Sequence, residues 1–159
     1  MKTKFLIVII LLSIVTVSCK EEKLVIRKIP RTNLEISLYE SEAKLYDTYN
    51  KVVEDNASIF FGKKKRAVIC REIEETYFPN DVDFLAKALE EHDDIVKYTL
   101  KNGAFGVSYT TKPNEKGKTY KYYYFYYKKD NRCYKLQSHL ANYKMEYFEH
   151  VKNAIESLK

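Results

Sequence analysis

The chain has 159 residues, of which 45% are hydrophobic and 31% charged, and it contains only 4 Gly and 3 Pro. This composition fits one globular domain and excludes a disordered or low-complexity chain. The formal net charge of +6 at pH 7 is compatible with anionic partners, although a surplus of this size is also ordinary for a solubilising surface.

The first 18 residues have the pattern of a secretory signal. Lys2 and Lys4 precede an apolar run from Phe5 to Leu12, and a short segment then leads to Ser18. The apolar run is too short for a membrane span, which needs roughly 20 residues. We therefore assign residues 1–18 to a signal peptide, and its removal lowers the formal charge from +6 to +4 because Lys2 and Lys4 leave with it.

The end of this segment carries a more specific motif, Val15-Thr16-Val17-Ser18-Cys19. It resembles the lipobox of bacterial lipoproteins, in which the cysteine is acylated, for example with palmitate, and becomes the new N-terminus. Thr16 stands where that motif usually has Leu. The resemblance implies that Cys19 is lipidated and that the chain is anchored to a membrane of the bacterial envelope; an ordinary free or disulfide-bonded Cys19 is the alternative.

The residues after Cys19, Lys20-Glu21-Glu22, resemble a short signal that directs some Bacteroidota lipoproteins to the cell surface. This implies the outer membrane as location and surface exposure as one outcome. Both resemblances cover only the first 22 residues. For the remaining domain no family is recognised.

Two further cysteines, Cys70 and Cys133, form an even pair in an exported chain. In an oxidising compartment such a pair is most simply a disulfide, and it would close a loop long enough to stabilise the fold by roughly 4 kcal/mol. Two free buried thiols are the alternative. We expect the disulfide.

The N-terminal half predicts helices. Residues 19–33 form a tether or, through Leu24 to Ile29, a short edge strand that Pro30 ends; residues 34–159 form a single domain. Apolar residues at three- and four-residue spacing predict three helices. The first runs from Ser37 or Ser41 to about Asp55, and its apolar stripe contains Leu38, Leu45, Tyr49 and Val52 with Tyr46 and Val53. The second runs from about Arg66 to Tyr77 on Ile69, Ile73 and Tyr77. The third begins at an N-cap at Asn80-Asp81, ends by Asp94 and buries Phe84, Leu85, Ala88 and Leu89. Between the first two, the basic run Lys63 to Arg66 is either an anion or headgroup patch or a solvated turn.

The C-terminal half predicts a sheet. Asn102-Gly103 indicates a type I′ turn between a strand at Ile95 to Lys101 and a strand at Ala104 to Thr111. The aromatic segment Tyr120 to Tyr127 is the third strand, Cys133 to Gln137 is the fourth, and a helix follows from His139 through Tyr143 and Tyr147 to Leu158. The predicted fold class is α+β, with N-terminal helices, a four-stranded antiparallel meander and a C-terminal helix packed on the sheet.

Strand parity divides the aromatic strand into two faces. Because Phe125 has no hydroxyl, we assign its face to the core, together with a second group of apolar residues. That core group contains Lys121, Tyr123, Phe125, Tyr127, Val96, Tyr98, Leu100, Phe105, Val107 and Tyr109. The opposite face then carries the tyrosine row Tyr120, Tyr122, Tyr124 and Tyr126, with Lys97, Lys135, Thr99, Ser108, Thr110 and Gln137 beside it.

Such a tyrosine row would suit stacking against sugars or contact with a protein. Three alternatives remain: helices cover this face, a second copy of the chain covers it, or the register is reversed. Interleaved lysines and tyrosines also occur in proteins that bind single-stranded nucleic acid, but a lipid-anchored exported chain rarely meets such a partner, and none is expected.

Catalytic motifs are lacking. His92, His139 and His150 come without a phosphate-binding loop, a nucleophile elbow or a zinc-protease motif, and Glu146 with His150 offers too few ligands for a metal site. The sequence therefore favours a non-enzymatic envelope lipoprotein that binds a protein or a glycan, without metal or cofactor. A small envelope hydrolase, an inhibitor-like regulator, and a structural or immunity-type lipoprotein are the alternatives.

Overall fold

The computed structural model describes residues 22–49, 57–61, 65–138 and 148–159. Within these ranges there are eight strands, three α-helices and one 3₁₀-helix. The strands are β1 (Leu24–Lys28), β2 (Glu35–Tyr39), β3 (Ala57–Phe61), β4 (Lys65–Ile73), β5 (Asp93–Thr99), β6 (Phe105–Thr110), β7 (Lys121–Lys129) and β8 (Arg132–Ser138). The helices are α1 (Glu40–Tyr49), α2 (Val82–Lys87) and α3 (Phe148–Glu156), and the 3₁₀-helix is Glu75–Tyr77.

Several predicted features lie outside the described residues. They are the signal peptide, Cys19 and Lys20-Glu21, Val52 at the end of the first predicted helix, Lys63 and Lys64 of the basic run, and His139, Tyr143, Glu146 and Tyr147 ahead of α3.

The strands form two antiparallel sheets. β1 and β2 form a two-stranded sheet, and the other six strands form one sheet in the order β3-β4-β8-β7-β6-β5. The mixed α and β architecture is confirmed. The four-stranded extent is wrong, because β3 and β4 continue the sheet beyond β8.

The helix predicted at Arg66 to Tyr77 is wrong, since this segment is β4 followed by the 3₁₀-helix. Ile69 and Ile73 are four residues apart, and a spacing of four fits the two-residue period of a strand as well as the helical period. The β-branched residues Val68, Ile69 and Ile73 favour the strand, and pairing with β8 from Val68 to Ile73 supplies its backbone partners.

The first predicted helix begins at Glu40, one residue before the later of its two predicted starts. Leu38 lies in β2, and α1 starts at Glu40. Glu42 reaches back so that its Oε2 accepts a hydrogen bond of 3.0 Å from the backbone N–H of Tyr39, which is half of a capping box. Before this, residues 24–28 form β1 rather than a tether, and Ile29 is fully buried in the main core.

The β5–β6 hairpin has a different turn from the predicted type I′ turn. Leu100 N–H donates to the Ala104 carbonyl at 2.7 Å, and Gly103 has φ +85° while Asn102 does not have a positive φ. The loop therefore contains three residues, 101–103, instead of two. Thr99 consequently pairs with Phe105, and the whole of β6 is turned over relative to the expected register.

We call the side of the large sheet that carries Tyr123, Phe125 and Tyr127 the first face, and the side that carries Tyr122, Tyr124 and Tyr126 the second face. The first face forms the main core, as predicted for these three β7 residues. α3 packs on it through Phe148, whose ring centroid lies 5.3 Å from that of Tyr98 and 5.6 Å from that of Tyr123.

The second face has its own smaller core. Asp81 caps α2 by accepting a hydrogen bond of 2.7 Å from Phe84 N–H, as the sequence predicted, and Leu85 packs on Val107 and Tyr126. Phe84 is 57% exposed, which contradicts its predicted burial. α2 ends at Lys87, before the predicted limit of Asp94, and β5 begins at Asp93.

The predicted Cys70–Cys133 disulfide is wrong. Both thiols are free and buried in the structure. Cys70 pairs with Leu136 on the first face, whereas Cys133 pairs with Ile73, three positions further along β4 and therefore on the second face.

Candidate binding site on the second sheet face

The tyrosine row is partly covered. Tyr120, Tyr122 and Tyr124 are half-buried, but Tyr126 is only 8% exposed because it belongs to the second core. The ring of Phe78 contacts it edge-on with 5.8 Å between the centroids. The segment from the 3₁₀-helix to α2 thus covers one end of the row, and Tyr126 is not part of an open surface.

Tyr109, on the neighbouring strand β6, packs against two tyrosines of the row. Its ring stacks on those of Tyr122 and Tyr124 with centroids 5.7 and 5.8 Å apart, and the Tyr109 and Tyr124 hydroxyls are 3.2 Å apart. Burial raises the pKa of Tyr109. The sequence interpretation placed Tyr109 on the other face, and the turned register of β6 brings it here.

Lys135 is the best-placed cation of this surface. It is half-buried, and its Nζ lies 4.4 Å from the ring centroid of Tyr124 and 5.9 Å from that of Tyr126. These are distances at which a cation is attracted to an aromatic face. Burial lowers the pKa of Lys135, and the charge of Arg71 lowers it further.

Arg71 lies directly opposite Lys135 in the register of β4 and β8. Like charges at directly opposite positions destabilise a sheet. Among the described residues no carboxylate forms an ion pair with either side chain: Glu72 binds Arg132 and Glu75 binds Lys128. The two cations therefore share one site without a direct ion pair to a described carboxylate.

These cations line an open groove of about 540 Å³ between β4, β8 and the 3₁₀-helix. The groove is lined by Arg71, Glu72, Ile73, Glu74, Tyr77, Tyr126 and Lys135. Tyr77 is 73% exposed and offers a free aromatic ring. Hydrogen bonds from Arg132 lower the pKa of Glu72, so this carboxylate is ionised but already engaged.

The other predicted surface residues are dispersed. Lys97 forms a 2.7 Å ion pair with Asp83, and Ser108 lies on the first face within 3.1 Å of the Tyr98 hydroxyl. Thr110 donates to Asp94 at 3.1 Å. Gln137, opposite Tyr124, remains beside Lys135 on the second face.

The described histidines do not converge. His92 stacks on Tyr109 with centroids 4.6 Å apart, whereas His150 Nδ1 lies 3.1 Å from Glu42 Oε1 at α1. In the part of the chain that the structure describes, no three His, Cys, Asp or Glu side chains are grouped to hold a metal ion.

Arg71 and Tyr77 were missed by the sequence interpretation because their segment was assigned to a helix. The signal that could have found Arg71 is the alternation around it: Val68 and Cys70 lie on the first face, and Ile69 and Arg71 on the second. Read with a period of two, Arg71 lies on the second face of an interior strand, where its side chain is exposed.

Comparison with protein-family models, with curated proteins and with solved structures found no match to this chain. None of the helices in the described ranges has the length and apolar character to cross a membrane.

Proposed function

We propose that the chain is a lipid-anchored, non-enzymatic binding protein of the bacterial envelope. The observation that carries this proposal is the open part of the second face. There, the partly exposed rings of Tyr122 and Tyr124 share a face with Lys135, a cation on an interior strand of a six-stranded sheet that forms no ion pair with the described carboxylates. Rigid, amphipathic rings beside an available charge are suited to binding a glycan or a protein.

The lipobox-like motif supports the anchor. β1 begins at Leu24, only five positions after Cys19. Such a segment spans at most about 18 Å when fully extended. A chain acylated at Cys19 would therefore hold its folded domain close to the membrane, where partners are the glycans and proteins of the envelope.

The separate environments of His92 and His150 favour binding over hydrolysis. One is stacked on Tyr109 of the second face and the other is paired with Glu42 near α1. A general acid and base must both reach one substrate, and these two side chains do not share a cleft.

Capture from the native envelope tests the proposal. The lipidated chain in lipid nanodiscs would be incubated in parallel with envelope polysaccharide and with detergent-solubilised envelope proteins. We expect saturable capture of one fraction by the wild type and a loss of at least tenfold in Tyr122→Ser. Tyr39→Ser, which removes a half-buried ring in edge-on contact with His150, is the matched control and should capture normally. Undiminished capture by folded Tyr122→Ser would refute the assignment of this surface.

A further inference from the structure

The pairing of Arg71 with Lys135 places two like charges directly opposite each other, with Arg71 exposed and Lys135 half-buried. Both belong to interior strands, and they are direct neighbours across β4 and β8. A sheet usually places opposite charges or apolar pairs at such positions. Glu75 is held by Lys128, and Glu72, whose position pairs with Tyr134 on the first face, is held by Arg132. Glu74 also lines the groove, but among the described residues it forms no ion pair with Arg71 or Lys135.

Lys135 is also held in place before any ligand arrives. Its ammonium sits over the Tyr124 ring at 4.4 Å, and the side chain is half-buried. Burial has removed part of its hydration, as the lowered pKa indicates. An incoming anion would therefore meet a fixed, weakly hydrated cation, which reduces the ordering cost of binding.

The walls of the groove add an aromatic plane. Tyr77 is 73% exposed, Ile73 and Tyr126 contribute further apolar lining, and Glu74 is an exposed lining residue. Its volume of about 540 Å³ falls within the usual range for small-ligand sites.

We infer that this groove binds a carboxylate-bearing sugar of an acidic glycan. Arg71 takes the carboxylate with its planar fork, Lys135 supplies the second positive charge, and the Tyr77 ring stacks on the apolar face of the sugar ring. The inference rests on the proposed binding function and specifies its ligand.

An acidic protein fits the groove less well. Protein partners usually anchor an aromatic or aliphatic side chain in a closely packed, desolvated pocket. This groove is open, and four of its seven lining residues are charged. A pyranose ring has a polar rim and an apolar face, which match the cations and the exposed tyrosine.

Calorimetric titration of the full lipidated chain in nanodiscs tests the inference with three probes: an oligogalacturonate, a neutral galacto-oligosaccharide of equal length, and an oligoglutamate peptide. We expect binding of the oligogalacturonate only, weakened by added salt. Arg71→Gln and Lys135→Gln should each reduce the affinity at least tenfold. Lys101→Gln removes the same charge from the exposed β5–β6 loop and should leave the affinity unchanged.

Stability separates a binding role from a structural one. If Arg71 and Lys135 serve ligand binding rather than stability, Arg71→Gln should raise the melting temperature of the ligand-free protein, because it removes the repulsion between the two cations. Arg71→Lys keeps the positive charge but removes the planar guanidinium that binds a carboxylate through two hydrogen bonds. This variant should retain the fold and bind the oligogalacturonate several-fold more weakly. A lower melting temperature of Arg71→Gln together with unchanged affinity would assign Arg71 a structural role and overturn the inference.

The remaining outcomes are also decisive. Tighter binding of the oligoglutamate would make the partner an acidic protein, and equal binding of the neutral oligosaccharide would remove the role of the cations. Absence of oligogalacturonate binding overturns the inference alone, since the Tyr122→Ser capture experiment decides the proposed function independently.

Discussion

Cys70 and Cys133 belong to neighbouring strands of one sheet, yet they lie on its opposite faces. Cys70 pairs with Leu136, and Cys133 pairs with Ile73. The offset of three positions corresponds to about 10 Å along the strands and reverses the direction of the side chain. A disulfide needs Cα atoms within about 7 Å and facing side chains, so the fold keeps these thiols apart.

We expect both thiols to remain free when the folded protein is treated with a mild oxidant. Burial raises the pKa of the Cys70 thiol to about 12, so little reactive thiolate forms near neutral pH. Alkylation after unfolding without reductant, followed by peptide mass spectrometry, should label Cys70 and Cys133 completely. A cross-linked peptide containing both residues would contradict the register of β4 and β8.

Gly106→Ala should destabilise the protein by at least ~2 kcal/mol, because overpacking in a closed core forces the backbone to move. A Cβ at Gly106 would lie 2.1 Å from the Tyr124 carbonyl oxygen and 2.8 Å from the Phe125 ring. Urea denaturation followed by circular dichroism measures the change in the free energy of unfolding.

Gly103→Ala is the matched control for this variant. Gly103 has φ +85°, but nothing lies within 4 Å of an added Cβ. The cost should be limited to backbone strain, about 1 kcal/mol. A Gly106→Ala variant as stable as Gly103→Ala would show that β6 and β7 do not approach as closely as described.

Relative to the wild type, Glu42→Gln should raise the free energy of unfolding more at neutral pH than at acid pH. Burial raises the pKa of Glu42 above its ordinary 4.5, although the Tyr39 N–H and His150 act in the opposite direction. The folded state then holds its proton to a higher pH than the unfolded state. Glu42 therefore makes its full stabilising contribution below pH 4.5, and this contribution is lost as the pH rises through the raised pKa of Glu42 in the folded state.

Glutamine cannot titrate, and its side-chain oxygen can still accept from Tyr39 N–H. The difference in unfolding free energy, variant minus wild type, should therefore grow between pH 4.5 and neutral pH, by ~1.4 kcal/mol for each unit of pKa shift. Denaturation at several pH values measures it. A shrinking difference would mean that the contact with His150, rather than burial, controls Glu42.

Cys19→Ala should release the protein from the membrane fraction. The acyl chains at Cys19 are the proposed source of membrane affinity, and burial of their methylene groups supplies the binding energy. Labelling with a fatty-acid analogue and fractionation of cells would measure both effects. Ser18→Thr keeps Cys19 and serves as a processing control. Unlabelled wild-type protein that still sediments with membranes would contradict the lipoprotein assignment.

Local sequence determined some elements correctly. Asp81 was identified as a helix cap because its short carboxylate can accept from an N–H three residues later, and Phe84 N–H does donate to it. The core side of β7 followed from the alternation around Phe125, since neighbouring side chains of a strand must lie on opposite faces. These are properties of a few consecutive residues.

Pairing between distant segments decided the rest. Ile69 and Ile73 are spaced in a way that a helix and a strand share, and only the partnership of β4 with β8 selects the strand. In the same way, Asn102-Gly103 signals a hairpin, but a single added loop residue turned β6 over and moved Tyr109 to the second face.

The candidate site shows the same division. Composition and strand alternation were enough to place Tyr122, Tyr124 and Lys135 on one face. Arg71 reaches Lys135 only because residues 64 positions apart in the chain become cross-strand neighbours. The sequence by itself determined which side chains could share a strand face. Tertiary structure decided which strands are adjacent, because register is set by the packing of both sheet faces together. This adjacency keeps Cys70 and Cys133 apart, forms the groove and places Arg71 opposite Lys135.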